Sequence, residues 1–401
     1  MRRTELDYVL TTMLGSQPEV SDLLFTVNKP LQVEAFGVLQ PVACNPPIDR
    51  LTPFQTEVVA LNLLGDNQWA LEDLLRRGSC DSAYTLADKA RFRINIFSQR
   101  GTYSIVLRKL NTEIPTLSNL NLPPILREIP KEKTGLVLVT GATGSGKSTT
   151  LASVLDEINH SKSIHVITLE DPVEFIYTND KATFNQRELG SDFDSFSNGL
   201  RAALRQAPKI ILVGEMRDRD TVKIALSAAE TGHLVLSTLH TIDAGQTINR
   251  ILGMFAPEEQ EQIRARLADT LRWIVSQRLV PKIGGGRFPL VEVMGSSLRT
   301  QESIRLGESE GKSFYEIIDA SYPFGWRTFD HASLEAYEKG IITEEAALLS
   351  CTKRGPVTRG IDLIKKARGE VTTDITSLRM KPSEVEAAAP PPFPTTLKLK
   401  K

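Results

Sequence analysis

From about residue 134 the chain alternates between short, almost unbroken apolar runs and longer stretches with a helical period. The runs are GLVLVT (135–140), SIHVITLE (163–170), KIILVGE (209–215) and HLVLSTLH (233–240). A strand with one wet face alternates apolar and polar residues, so uniform runs of this length fit strands covered on both faces. Segments 147–159, 218–231 and 257–276 are predicted helices, and residues 328–350 read as helical again. Strand and helix taking turns in this way predict an α/β, doubly wound, mostly parallel sheet for residues 125–355.

The first 113 residues follow another pattern. SDLLFTVNKPLQVEAFGVLQPV (21–42) breaks its apolar runs at Asn28-Lys29-Pro30 and at Gly37, which predicts strand, turn, strand. TPFQTEVVALNLLG (52–65) opens on Thr-Pro and stops at Gly, a helix signature. Residues 84–97 and 102–110 are rich in β-formers and flank a turn at Gln99-Arg100-Gly101. Residues 1–113 are therefore expected to form a small α+β domain. The Pro- and Asn-rich stretch 114–124 reads as a linker. Residues 356–401, polar and ending in an Ala- and Pro-rich segment, are expected to be a flexible tail.

Composition narrows the function classes. In 401 residues there are 48 Lys+Arg and 49 Asp+Glu, a formal net charge of -1. A protein that coats nucleic acid through a broad electrostatic surface carries a basic excess, so no nucleic-acid partner is expected. The 3 cysteines, Cys44, Cys80 and Cys351, are widely spaced and form no CxxC, which excludes a four-cysteine zinc site and points to a reducing, cytoplasmic setting. No apolar run approaches the ~18 residues of a membrane span, and the opening MRRTELDYVL does not read as a signal peptide.

Candidate chemistry lies at the ends of the apolar runs. Gly141-Ala142-Thr143-Gly144-Ser145-Gly146-Lys147-Ser148 matches GxxxxGK[ST] at every fixed position, after a predicted strand and before a predicted helix. Glycines let the backbone turn its N–H groups inward onto phosphate oxygens, and the helix start adds its positive dipole end. Lys147 then brings charge to the β- and γ-phosphates of ATP, and Ser148 can ligate Mg²⁺. The next run ends in Glu170-Asp171-Pro172-Val173-Glu174, and the following one in Gly214-Glu215-Met216-Arg217. Acids just past a strand end lie at the rim where α/β ligands bind. One of Glu170 and Glu174 can accept a proton from water, and Glu215 can support Mg²⁺. His240 closes the fourth run on the same side. His233, at its other end, is open between a structural and an indirect role.

These segments, in this order, resemble the secretion-type AAA-like ATPases of type IV pili and type II secretion. GATGSGKSTT is similar to the family's Walker A, LEDPVEF (169–175) to its Asp box, ILVGEMRD (211–218) to its Walker B and HLVLSTLHT (233–241) to its His box. SDLLFTVNKPLQVEAFG, RFRINIF and residues 246–281 and 327–348 resemble the retraction, PilT-like subgroup. The segment 297–314 only partly echoes that subgroup's AIRxxIRE motif. The resemblance implies a PAS-like N-terminal domain followed by a RecA-like ATPase domain with C-terminal helices, assembled as a homo-hexamer. It implies an ATP-hydrolysing motor for pilus retraction and twitching motility, held peripherally at the inner membrane by a platform protein. An accessory paralogue working beside other pilus ATPases is the alternative. Carried over by residue, Lys147, Ser148 and Thr149 hold nucleotide, Glu174 is the general base with Glu170 the alternative, Glu215 supports Mg²⁺, and His240 faces the γ-phosphate. Arg93 and Arg108 are candidates to neutralise phosphate charge from the N-terminal domain, although arginines on a sheet face are more commonly plain surface residues.

Overall fold

The structure, a computed structural model, describes residues 2–110 and 113–370, apart from the side chain of Asp88. The N-terminal part is a six-stranded sheet in the order β3-β2-β1-β6-β5-β4, antiparallel throughout. Its strands are β1 (Val20–Phe25), β2 (Gln32–Ala35), β3 (Val38–Pro41), β4 (Ser79–Leu86), β5 (Ala90–Gln99) and β6 (Thr102–Leu110). The helices Arg3–Leu14, Pro53–Leu64 and Gln68–Arg77 bury Leu10, Met13, Val59 and Leu74 against Leu23, Phe92, Ile94 and Ile96. Thr52 caps the second helix by accepting from Gln55 N, with Pro53 in the first turn, as its sequence predicts. The β-rich stretch 84–97 is not one strand. It contains the end of β4, a short 3-10 turn at Ala87–Lys89, and most of β5.

Along β5 the period of two sorts the residues. Phe92, Ile94 and Ile96 are fully buried in the N-terminal core, while Arg91, Arg93 and Asn95 lie on the opposite face.

The second part is a seven-stranded sheet in the order β13-β12-β7-β11-β10-β8-β9. Its strands are β7 (Gly135–Thr140), β8 (His165–Glu170), β9 (Thr183–Glu188), β10 (Ile210–Val213), β11 (Leu234–Leu239), β12 (Leu271–Pro281) and β13 (Arg287–Gly295). All neighbours are parallel except the β12–β13 pair. β7, β10 and β11 are buried at every position, which is why they read as continuous apolar runs. β7, β8, β10 and β11 run parallel, so they deliver the phosphate loop, Glu170, Glu215 and His240 to one edge of the sheet.

Two expectations are corrected. The helix predicted at 257–276 stops at Thr270, and the chain passes directly into β12. Leu271–Pro281 carries Trp273, Ile274, Val275 and Val280, and pairing with β7 and β13 overrides the helical period in front of it. The expected flexible tail does not begin at 356: Arg354–Ala367 is a helix. Its Val357, Ile361 and Ile364, at helical spacing, pack on Phe329, Tyr337 and Ile342, and Lys365 pairs with Glu344 at 2.5 Å. The rest of that tail, 371–401, lies outside the described residues. In the stretch read as linker, Leu117 is buried in the core of the second part, and Pro115 O accepts from Ser153 Oγ at 2.6 Å.

Candidate active site

The loop after β7 turns on glycines with positive φ: Gly141 at 144°, Gly144 at 77° and Gly146 at 89°. At Gly141 space is also decisive, because a Cβ there would stand 2.4 Å from the carbonyl oxygen of Gln277. Gly146 is the N-cap of the helix Lys147–Ser161 and supplies no side-chain acceptor. The first helical N–H groups and the dipole are therefore open to an anion. Lys147 is only 8% exposed, and its Nζ donates to Gly141 O at 3.0 Å and Ala142 O at 3.1 Å. Burial lowers its pKa from the ordinary lysine value, and Glu215 and Glu174 oppose that shift.

This loop forms the floor of a cleft of about 560 Å³. Of the residues singled out from sequence, Thr143, Gly144, Gly146, Lys147, Ser148, Thr149, Glu170, Glu174, Glu215, His240 and Arg93 line it. Gly141, Ala142 and Ser145 complete the loop without lining the cleft. Ser145 Oγ is buried and has no hydrogen-bond partner among the described residues, an orphaned donor at the foot of a phosphate cradle.

The carboxylates differ in environment. Glu170, at the end of β8, accepts from Thr168 Oγ1 at 2.6 Å and Gln186 Nε2 at 3.3 Å. Desolvation pushes its pKa up to about 7, against the lowering effect of Thr168, Gln186 and the Glu174 backbone. Glu174 stands on the loop beyond it. Glu215 Oε2 lies 2.7 Å from Arg217 Nη2 and 3.4 Å from His240 Nε2.

The donor set fits a hydrated Mg²⁺. The Ser148 hydroxyl and the Glu215 carboxylate line the same cleft, and no group of three or more His, Cys, Asp or Glu among the described residues could hold a metal. That pairing suits an ion that keeps several waters and takes its remaining oxygens from phosphates.

The N-terminal arginines separate. Arg93 reaches the cleft and, among the described residues, has a loose partner in Asp81 at 3.8 Å with both side chains exposed. Arg108, its neighbour across the β5–β6 ladder, instead donates from Nε to Asp22 on β1 at 2.9 Å and does not line the cleft. His233 also lies away from the cleft, with Nδ1 3.0 Å from Ala228 O. Two cationic residues that sequence reasoning passed over line the cleft: Arg217, two residues after Glu215, and Arg287, at the start of β13. Arg217 stood in the quoted Walker B segment and was legible there; Arg287 follows a Gly-rich turn and carries no signal of its own.

A phosphate loop on a parallel sheet, with acids and a histidine at the neighbouring strand ends, defines a P-loop ATPase. The model of the family described as "Type II/IV secretion system protein" matches residues 82–296, and the chain belongs to that family. It is 38% identical over 342 residues to the "Type IV pilus retractation ATPase PilT" of Pseudomonas aeruginosa, covering 85% of this chain and 97% of that protein. It is also 38% identical over 329 residues to the "Type IV pilus ATPase PilU" of the same organism, covering 82% and 84%. Among solved structures, "Crystal Structure of the Pilus Retraction Motor PilT and Bound ADP" matches with a TM-score of 0.77 and 40% identity, over 87% of this chain and 97% of that one.

Proposed function

We propose that this chain is the subunit of a hexameric ring that hydrolyses Mg·ATP and drives retraction of a type IV pilus from the cytoplasmic side, docked through an inner-membrane platform protein. The observation that carries the reading is the convergence of the phosphate loop, Glu170, Glu174, Glu215 and His240 on one cleft that Arg93 enters from the other domain. The loop N–H groups and Lys147 hold the β- and γ-phosphates. Glu174 takes a proton from the water that attacks the γ-phosphorus, and ADP leaves on the opposite side. Ser148 and Glu215 would hold Mg²⁺, which would offset phosphate charge. His240 faces the γ-phosphate side, and Arg93 meets the charge that builds there.

Glu170 is a second reading for the base, favoured by its carboxyl near pH 7. An accessory paralogue is a second reading for the motor. It is favoured by the segment 297–314, where the helix Leu298–Leu306 leaves Leu298 and Leu306 largely exposed in place of the retraction motif.

The test is a deletion strain scored for surface pili and twitching, complemented by wild type, by Lys147→Ala and by Glu174→Gln. Wild type alone should restore twitching. Restoration by Lys147→Ala would remove the motor reading, and rescue that needs a second pilus ATPase would select the accessory one. Mass measurement of the purified protein with and without ATP should give roughly six times 44.4 kDa.

A further inference from the structure

We propose that Arg91 is a positioning residue that clamps the loop bearing Glu174 to the N-terminal domain, so that the pose of that domain sets the general base. The inference rests on the assignment of Glu174 given above.

Arg91 and Arg93 sit two residues apart on the same face of β5, and that face meets the ATPase part of the chain. Arg93 opens onto the phosphate cleft, whereas the whole fork of Arg91 is engaged. Its Nη1 donates to Thr85 Oγ1 at 2.8 Å, inside its own sheet. Its Nε donates to Val173 O at 2.9 Å, and its Nη2 to Glu188 Oε2 at 2.6 Å. The same Glu188 oxygen accepts from Val173 N at 3.2 Å. Both polar backbone groups of Val173 are thus taken up by one ion pair, and Glu174 is the next residue. Glu188 is fixed in turn, because its N–H donates to Asp192 Oδ2 at 2.7 Å.

The pair is shielded, with 14% of the Arg91 side chain and 12% of the Glu188 side chain exposed. Exposed ion pairs contribute little, but a shielded pair whose partner is removed leaves a desolvated charge without compensation. Another side-chain bond between the two parts among the described residues, Asn67 Nδ2 to Ser191 Oγ at 3.1 Å, is exposed and uncharged. Arg91 is therefore a direct, shielded contact by which movement of the N-terminal domain can reach the loop. The planar fork suits this arrangement, since it holds three separate donors at fixed angles to a hydroxyl, a carbonyl and a carboxylate at once, which the point charge of an ammonium does not reproduce. The phosphate loop makes none of these bonds, so nucleotide affinity should not depend on them.

The experiment uses the full chain and three readouts: single-turnover hydrolysis of Mg·ATP, calorimetric binding of Mg·ADP, and hydrogen exchange over residues 171–175. For Arg91→Gln the expected result is a hydrolysis rate about 10- to 100-fold lower, because a misplacement of ~1 Å can cost that much. Mg·ADP affinity should stay within about two-fold, and exchange over 171–175 should quicken. A rate within about two-fold of wild type overturns the proposal. So does unchanged exchange in that segment, even where the rate falls. Glu188→Gln keeps an acceptor oxygen and should move the same readouts less far; it decides the matter if Arg91→Gln fails to fold. Glu174→Gln is measured alongside. If it turns over normally while Arg91→Gln slows hydrolysis and loosens 171–175, the clamp stands and the choice of base fails.

Discussion

Glu170→Gln separates a structural carboxyl from a catalytic one. Burial holds the Glu170 pKa at about 7, against 4.5 for an unperturbed glutamate. A tenfold change in proton affinity is worth ~1.4 kcal/mol, so ionising this group costs about 3 kcal/mol more in the folded chain than in the unfolded one. The folded state holds the proton more tightly, which fixes the sign. Below about pH 4.5 both states are protonated and the penalty vanishes. As pH rises the unfolded chain ionises first, the penalty grows, and it levels off above the folded value near 7. Between pH 5 and pH 8 wild type loses about 2 to 3 kcal/mol through this residue, and a neutral glutamine loses none. For a domain of this size that is a thermal midpoint gain of about 5 to 10 °C for the variant relative to wild type, across that pH interval. Glu292, buried and also pushed up to about 7, titrates in both proteins and cancels in the comparison. Turnover is read on the same samples. With Glu174 as base, Glu170→Gln should keep hydrolysis within about an order of magnitude of wild type. A midpoint difference that does not change with pH would refute the desolvated carboxyl. Loss of all turnover would move the base to Glu170.

The separation of the two N-terminal arginines has a direct readout. Arg93→Ala should lower kcat by on the order of 10³-fold with an unchanged thermal midpoint, if it meets phosphate charge in transfer. Arg108→Ala should leave kcat alone and lower the midpoint instead, because Asp22, 7% exposed, loses its guanidinium; equal effects of the two variants on kcat would contradict the geometry. Glu215→Gln should raise the Mg²⁺ concentration for half-maximal hydrolysis about tenfold, and an unchanged Mg²⁺ titration would remove Glu215 from the metal site.

The parts of the fold and site that were legible in the sequence are those fixed by short-range chemistry. Gly141 and Gly146 must be glycine where φ is positive, and Lys147 must follow them at the helix start, so the phosphate loop is written in consecutive residues. The strands that carry Glu170, Glu215 and His240 are buried on both faces and announce themselves as apolar runs. What escaped the sequence depends on tertiary pairing. Arg91 and Glu188 stand 97 residues apart, and although Arg91 opens the segment RFRINIF, nothing in the sequence pairs it with Glu188. β12 follows a helix with no glycine or proline between them, so only its ladder with β7 ends the helix at Thr270. Arg93 and Arg108 look alike in sequence, and only the placement of Asp22 on the adjoining strand β1 draws one of them away.

The alternation of β5 gives a physical reason for the N-terminal domain to act as one body. Phe92, Ile94 and Ile96 are fully buried, and the strand is hydrogen-bonded on both sides, to β4 and to β6. Such a strand cannot slide within its own sheet without turning a buried residue outward, since a slip of one position exchanges the faces. Arg91 and Arg93 are therefore fixed to each other and to the domain behind them. A movement that shifts Arg93 in the cleft must carry Arg91 with it, and Arg91 holds Val173, the residue before Glu174. Under the proposed roles of Arg93 and Glu174, charge on the nucleotide and the position of the base would then be read by adjacent teeth of one rigid strand. The displacement open to the domain is a rotation of the whole sheet rather than a local adjustment.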